Sequence, residues 1–139
     1  MKRQTAGFTL IELVIVLLIV AVLAAIALPS YTNYIVRGNR AAAQSYMLDL
    51  AQREQQFLLD NRGYANQATL FALLPPPSQV AAQYTVQLLP APDNTATPPT
   101  YTINAAPIAG TIQAREGEPT LTLNQAGTKV GSKNGIPVW

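Results

Sequence analysis

A single acid lies inside the long apolar segment that begins this chain. The stretch GFTLIE occupies residues 7–12 and ends in Glu12, and residues 13–28 are apolar without interruption. An acid at the centre of a membrane helix costs about 2.5 to 3.5 kcal/mol, and less near the helix end, so an acid retained there usually has a partner. Glu12 is therefore the first candidate for a functional residue, and its chemistry would be the binding of a cation.

The other candidates for chemistry are few. Glu116 and Glu118 flank Gly117, but a catalytic carboxylate pair or a calcium site needs more than they supply, so we interpret them as a solvated turn. Lys129 and Lys133 lie in a glycine-containing segment without the spacing of a phosphate-binding loop. The chain has no Cys and no His, which excludes thiolate and imidazole metal sites and the catalytic triads built on them. The sequence predicts no enzyme, no cofactor and no metal site.

The composition indicates a membrane segment attached to a polar domain. Hydrophobic residues make up 49% of the chain and charged residues 12%, but the apolar residues are concentrated in residues 8–28. This segment would form about 31 Å of helix, enough to span the hydrocarbon core of a bilayer. Because Lys2 and Arg3 precede it, we expect its start to stay in the cytoplasm and the chain from Tyr31 onward to lie outside.

Simpler interpretations of the apolar segment are open at this point. A secretory signal peptide is compatible with the small residues Ala25 and Ala27, although its apolar run is usually about 7 to 15 residues long and contains no acid. A plain membrane anchor explains the length of the segment but not Glu12. In a further alternative, Glu12 reaches the lipid headgroups or is protonated because it is buried.

The N-terminal motif resembles that of type IV pilins. A short basic leader, a Gly before an aromatic residue, an acid at the fifth position after that Gly and a long apolar run occur together, followed by PSY at residues 29–31. The resemblance implies cleavage between Gly7 and Phe8 by a prepilin peptidase, with N-methylation of Phe8, which keeps the positive charge of the new terminal amine. It also implies that Glu12 meets the amine of a neighbouring subunit in a low-dielectric filament core, where an unpaired charge is costly.

The helix should continue beyond the apolar segment and acquire one apolar face. Pro29 lacks a backbone N–H and should kink or loosen the helix. Apolar residues then recur at helical spacing until Gly63, a plausible stop, so the sequence predicts one helix of about 80 Å. The residues of this face are Tyr31, Ile35, Val36, Ala42, Ala43, Tyr46, Met47, Leu50, Phe57 and Leu58.

Alternating residues later in the chain predict an antiparallel sheet. The predicted strands are residues 83–89, 100–105, 120–124 and 128–130. Packing of this sheet on the C-terminal half of the helix gives an α+β, pilin-like fold. We expect a leader peptide over residues 1–7, a transmembrane and filament-core helix over residues 8–28, and an amphipathic helix with a globular head over residues 29–139.

The resemblance extends into the head, towards the minor pilins of Gram-negative bacteria. The stretch RGYA at residues 62–65, LTLNQAG at residues 121–127 and the terminal Trp139 carry it. Many relatives place one Cys just before the Leu-Thr-Leu stretch and another before the final Trp. Here residues 118–119 are Glu-Pro and residue 138 is Val, so the disulfide-closed loop and an adhesive role tied to it are not expected.

These observations predict a structural, minor subunit of a type IV pilus. Its expected partners are a prepilin peptidase, the inner-membrane assembly machinery, other pilin subunits and, before assembly, the membrane. We expect it in the inner membrane with its head in the periplasm, and then in an extracellular pilus. A pseudopilin of a type II secretion system and a membrane-anchored periplasmic binding domain are the alternatives. No nucleic acid partner is expected, because the only cations after Gly63 are Arg115, Lys129 and Lys133.

Overall fold

Helix α1, Leu10–Asn61, is the longest element of the chain. The computed structural model describes residues 7–139, and the chain forms two compact units, Met1–Ile35 and Val36–Trp139. Most of the predicted leader peptide, residues 1–6, lies outside the described residues. The predicted helix of about 80 Å corresponds to α1, which has 52 residues.

The chain is helical on both sides of Pro29. Because proline has no N–H, it cannot donate to the carbonyl group four residues earlier. Just after it, the Ser30 hydroxyl donates to the Ile26 carbonyl oxygen at 3.5 Å, and the Thr32 hydroxyl donates to that of Leu28 at 3.2 Å. Both are bonds from a hydroxyl to the carbonyl four residues earlier, as Ser and Thr often form in helices, and neither goes to the Ala25 carbonyl that Pro29 leaves without its donor. The kink at Pro29 stays a prediction.

The end of α1 differs in detail from the predicted stop. Arg62, which follows Asn61, adopts the left-handed conformation with φ 59°, a position where Gly is usual. Gly63 is required for another reason, because a Cβ there would lie 3.0 Å from Cγ of Asn94. The Asn94 side chain accepts from the Tyr64 N–H at 2.7 Å and donates to the Tyr64 carbonyl oxygen at 3.0 Å. Gly63 therefore lets the Asn94 loop approach the end of the helix.

Three short helices, which the sequence pattern did not predict, connect the larger elements. Helix α2, Gln67–Leu73, begins after Asn66, whose side chain accepts a backbone N–H of the first turn. Helix α3 is Ser78–Ala81, directly after the three consecutive prolines. Helix α4, Ile112–Arg115, is capped by the side chain of Thr111. Each cap satisfies a backbone donor that a short helix leaves without a partner.

Four strands form an antiparallel sheet in the order β1-β2-β3-β4. They are β1 Tyr84–Leu88, β2 Thr102–Pro107, β3 Leu121–Asn124 and β4 Lys129–Val130. In the register, Ile103 of β2 pairs with Leu88 of β1 and with Leu123 of β3. A separate pair of short strands, β5 Ser132–Lys133 and β6 Ile136–Pro137, follows near the C-terminus.

The inner face of the sheet packs on α1 and forms the core of the second unit. The core residues of α1 and of the three longer strands are Ala43, Tyr46, Met47, Leu50, Tyr84, Val86, Leu88, Ile103, Ala105, Leu121 and Leu123. One buried polar residue, Gln113, joins α1 to the sheet. Its side-chain amide donates to the Val36 carbonyl oxygen at 3.2 Å and to the Tyr84 hydroxyl at 2.6 Å. These bonds satisfy a polar group that would otherwise destabilise the core.

The predicted α+β, pilin-like fold is confirmed, since a long helix packs on a small antiparallel sheet. All four predicted strands are present, although the second is displaced to Thr102–Pro107. The predicted apolar face of α1 is wrong at its start. Tyr31 is 65% exposed, and burial begins at Val36, because the core that covers this face belongs to the second unit.

Candidate processing and assembly site

The first turn of α1 is closed by reciprocal hydrogen bonds between Thr9 and Glu12. Oε2 of Glu12 accepts from the Thr9 backbone N–H at 3.0 Å and from the Thr9 hydroxyl at 2.9 Å. In return, Oγ1 of Thr9 accepts from the Glu12 backbone N–H at 3.3 Å. This arrangement is a capping box, which begins a helix by satisfying its first N–H groups. This role of Thr9 was not predicted, although the spacing T-x-x-E before an apolar run indicates it.

The capping box leaves part of the Glu12 carboxylate unused. Within residues 7–139, both hydrogen bonds from Thr9 to the Glu12 carboxylate end at Oε2, and Oε1 accepts none. Phe8 lies four residues before Glu12 and two residues before the start of α1, and it is 87% exposed. An acid at this end of a helix is also favoured by the helix dipole. Oε1 is therefore available for a further hydrogen bond that would leave the helix cap in place.

An exposed apolar surface follows the capping box. Every large apolar side chain from Phe8 to Leu28 is exposed, from 46% at Val14 to 87% at Phe8. Of the helices in residues 7–139, α1 is long and apolar enough to cross a membrane. A continuous apolar surface of this size is unfavourable in water and is normally covered by lipid or by other protein. The predicted cleavage, methylation and charge pairing at Gly7, Phe8 and Glu12 stay predictions.

Glu118 does not lie in a solvated turn, and our interpretation of it is wrong. Its side chain is 1% exposed, and each carboxylate oxygen accepts from a different cation. Nη1 of Arg40, on α1, lies 2.8 Å from Oε2, and Nζ of Lys133, on β5, lies 2.9 Å from Oε1. Only Glu116, on the other side of Gly117, is exposed as expected. This cluster could not be predicted from the amino-acid pattern, because its members are far apart along the chain.

Glu54 is a second buried acid that the sequence analysis did not single out. It is 0% exposed, and its Oε2 accepts from the Ala65 backbone N–H at 2.8 Å, while Oε1 has no hydrogen-bond partner among the described residues. Burial raises the pKa of Glu54 to about 7, and the bond from Ala65 opposes this shift. Glu54 is therefore readily protonated near neutral pH and joins α1 to the loop that follows it.

Among residues 7–139 no group of three or more His, Cys, Asp and Glu side chains is placed to hold a metal ion. Asp93 is occupied by its own loop, since the Thr95 hydroxyl donates to its carboxylate at 2.7 Å and the Thr95 N–H at 2.9 Å. These bonds lower the pKa of Asp93, so it remains an ionised turn residue.

Two family models match this chain. A model of the prokaryotic N-terminal methylation motif matches residues 2–28. A second model, described as type IV minor pilin ComP, DNA uptake sequence receptor, matches residues 29–118, which is more than half of the chain.

The chain belongs to the type IV pilin family.

Relatives of this pilin include major subunits from several bacteria. The type IV wide pilus major component PilA4 of Thermus thermophilus is 39% identical over 72 residues, which are 51% of this pilin and 55% of PilA4. The type IV major fimbrial protein FimA of Dichelobacter nodosus is 44% identical over 62 residues, 45% of this pilin and 40% of FimA. The type IV major pilin protein PilE1 of Neisseria gonorrhoeae is 34% identical over 86 residues, 60% of this pilin and 51% of PilE1. The pilin thus spans about half the length of the relatives it matches.

Proposed function

We propose that this pilin is a structural subunit of a type IV pilus. It would be inserted into the inner membrane with its head in the periplasm, and the inner-membrane assembly machinery would then add it to an extracellular filament. The observation that carries this proposal is the exposed apolar surface of residues 8–28, which contains Glu12, the acid of the capping box. Lipid would cover this surface before assembly, and the helices of other pilin subunits would cover it afterwards.

Processing by a prepilin peptidase would release the N-terminus at Phe8. Among residues 7–139, nothing lies within 4 Å of a Cβ built at Gly7. A larger residue at this position therefore meets no obstacle in the described residues, and any effect would arise in the peptidase. We expect Gly7→Val to keep residues 1–7 attached and the protein in the inner membrane, whereas Gly7→Ala is processed. Intact-mass spectrometry of wild type should show a methylated Phe8 as the first residue, and a mature start at Leu28 would establish the secretory signal instead.

Assembly would then depend on Glu12. Methylation of the Phe8 amine retains its charge, so the mature N-terminus is a cation. In the filament, Glu12 of one subunit would bind the Phe8 amine of a neighbour. Because the surroundings would be apolar, either charge alone would be strongly destabilising, which favours the register that pairs them.

We infer further that this pilin is a minor subunit. The family description that names a minor pilin supports this, although the relatives described above are named as major components. Quantitative mass spectrometry of sheared surface fibres tests it directly. A minor subunit would be present in the fibres at well below the amount of the most abundant pilin, and an equal or greater amount would make this chain the major subunit.

The same experiment separates the two other candidates. A pseudopilin of a type II secretion system would be absent from sheared surface pili, and its deletion would block the secretion of an exported protein. A membrane-anchored periplasmic binding domain would stay in the membrane fraction and would form no fibre. Recovery of this chain in sheared pili, with loss or change of pili in a deletion strain, supports the proposal over both.

A DNA receptor is a second candidate function, because the matching family description names one. We propose that this chain has no nucleic acid partner. In its second unit, Arg40 and Lys133 are bound to Glu118, so fewer cations are available for phosphate. A pool of random DNA duplexes, incubated with the full chain in detergent, should show no salt-dependent retention at physiological salt. Retention that falls steeply with added salt would establish DNA binding.

A further inference from the structure

The C-terminal segment, residues 129–139, is held to the rest of the head by the pairing of β4 with β3 at its start and by polar side-chain contacts beyond it. Gln44 of α1 donates to the Val138 carbonyl oxygen at 2.6 Å, and Lys133 donates to Glu118 at 2.9 Å. Within the segment, the Val138 N–H donates to the Gly131 carbonyl oxygen at 3.0 Å. The apolar contribution is small, because Val138 and Trp139 are only partly buried.

Glu118 is the centre of these contacts. It receives Arg40 from α1 and Lys133 from the C-terminal segment, so one buried carboxylate joins two parts of the head. Nearly all of its surface is removed from solvent, whereas the two cations keep 18% and 28% of their side-chain exposure. Loss of one partner from such a buried cluster is strongly destabilising, since it leaves a buried charge without compensation.

A small residue lets the segment approach the core at Gly131. A Cβ at this position would lie 2.8 Å from Cδ2 of Leu121 and 3.2 Å from Cδ1 of Trp139. The segment therefore lies directly against Leu121, which is fully buried. Opening of the segment would expose this end of β3 and would leave the pairing of β1 with β2 intact.

We propose that the Arg40–Glu118–Lys133 cluster is an electrostatic latch that closes residues 129–139 onto the head, and that the segment opens as one unit when the latch is broken. The chain has no cysteine, so no disulfide can perform this closure. The latch is reversible without a redox reaction. Beyond the two residue pairs that join β4 to β3, closure of the segment depends on the two contacts of Glu118.

Hydrogen exchange followed by mass spectrometry, on the full chain in detergent micelles, tests this proposal. Lys133→Met keeps the aliphatic stem and the Arg40–Glu118 pair, so the head should stay folded while the segment loses its bond to Glu118. We expect exchange in residues 129–139 to accelerate at least about tenfold, because breaking a buried ion pair is worth more than that factor. Exchange in β1 and β2 should change less than about twofold.

A second variant and a control complete the design. Glu118→Gln preserves the size of the side chain and removes its charge, so it should accelerate exchange in the same segment. Glu116→Gln removes an exposed acid two residues away and should leave all rates as in wild type. The proposal is overturned if Lys133→Met exchanges like wild type in residues 129–139. It is also overturned if exchange accelerates equally in β1 and β2, because the cluster would then support the whole head and would not act as a latch.

Discussion

At the scale of single residues, Glu54 links the stability of the head to pH. Its carboxylate is buried and forms no ion pair among the described residues, and its pKa is raised from 4.5 to about 7. The folded protein therefore holds a proton that the unfolded chain has released between these two pH values. The contribution of Glu54 to the free energy of unfolding is largest below about pH 4.5 and decreases as the pH rises towards 7. Above about pH 7 it no longer changes.

Glu54→Gln tests this linkage. Glutamine cannot ionise, and its side-chain oxygen can still accept the Ala65 N–H. We expect the variant to be more stable than wild type at pH 8, by on the order of 2 to 3 kcal/mol, and nearly equal to it at pH 4. The measurement is the thermal unfolding midpoint of the full chain in detergent, followed by near-UV circular dichroism. An equal effect of the substitution at both pH values would show that the pKa of Glu54 does not differ between the folded and unfolded protein.

At the scale of elements, the buried face of α1 carries much of the core. Leu50 is 0% exposed, whereas Leu59, on the same helix, is 83% exposed. We expect Leu50→Ala to lower the free energy of unfolding by about 2 to 5 kcal/mol, because it leaves a cavity, while Leu59→Ala changes it by less than about 0.5 kcal/mol. Urea titration of both variants measures the difference. A small effect at Leu50 would indicate a ligand groove in place of a packed core.

Tyr46 on the same face is expected to behave like Leu50. Its hydroxyl donates to the Leu74 carbonyl oxygen at 2.9 Å, and burial raises its pKa to about 12. Tyr46→Phe should cost about 1 kcal/mol through the lost hydrogen bond, and Tyr46→Ala about 3 to 5 kcal/mol. Comparison of the two by urea titration separates the hydrogen bond from the packing of the ring, and equal losses would contradict the burial of the ring.

The elements that could be predicted from sequence are those in which apolar residues recur at a regular spacing over several positions. The helical spacing of the apolar residues in α1 and the alternation in β1 to β3 indicate these elements before any contact is known. Helices α2 to α4 have seven residues or fewer, so caps such as Asn66 and Thr111 and tertiary contacts decide them. The start of burial at Val36 could not be predicted, because it depends on where the second unit covers α1.

The site could be predicted only where it is local. One short motif predicts Gly7, Phe8 and Glu12 as site residues, which stays a prediction, and Thr9 has the right spacing for its capping role to be predicted in the same way. Glu118 could not be identified, because Arg40 lies 78 residues before it and Lys133 lies 15 residues after it. Only the folded chain brings these three side chains together.

At the scale of the whole molecule, the head should fold without the apolar segment. Its core lies within Val36–Trp139, and no core residue belongs to residues 7–35 of the described chain. We expect residues 31–139, expressed alone, to be soluble and folded, with a melting temperature unchanged by dithiothreitol because the chain has no Cys. Aggregation of this fragment, or a broad transition without cooperativity, would show that the first unit is needed for folding.

The central claim concerns the whole molecule in its filament, where the Glu12 carboxylate is expected to meet the Phe8 amine of a neighbour. Glu12→Gln keeps the size of the side chain and its ability to complete the capping box, so it removes only the charge. Thr9→Val is the matched control, because it removes the hydroxyl partner of the cap and keeps the charge.

The decisive measurement is the amount of processed protein in sheared fibres relative to the membrane, with wild type and both variants expressed equally. We predict that Glu12→Gln is inserted and cleaved after Gly7 but is at least about tenfold depleted from fibres, because an unpaired amine in an apolar core is costly, while Thr9→Val enters fibres. A fibre-to-membrane ratio for Glu12→Gln equal to that of wild type would contradict the account.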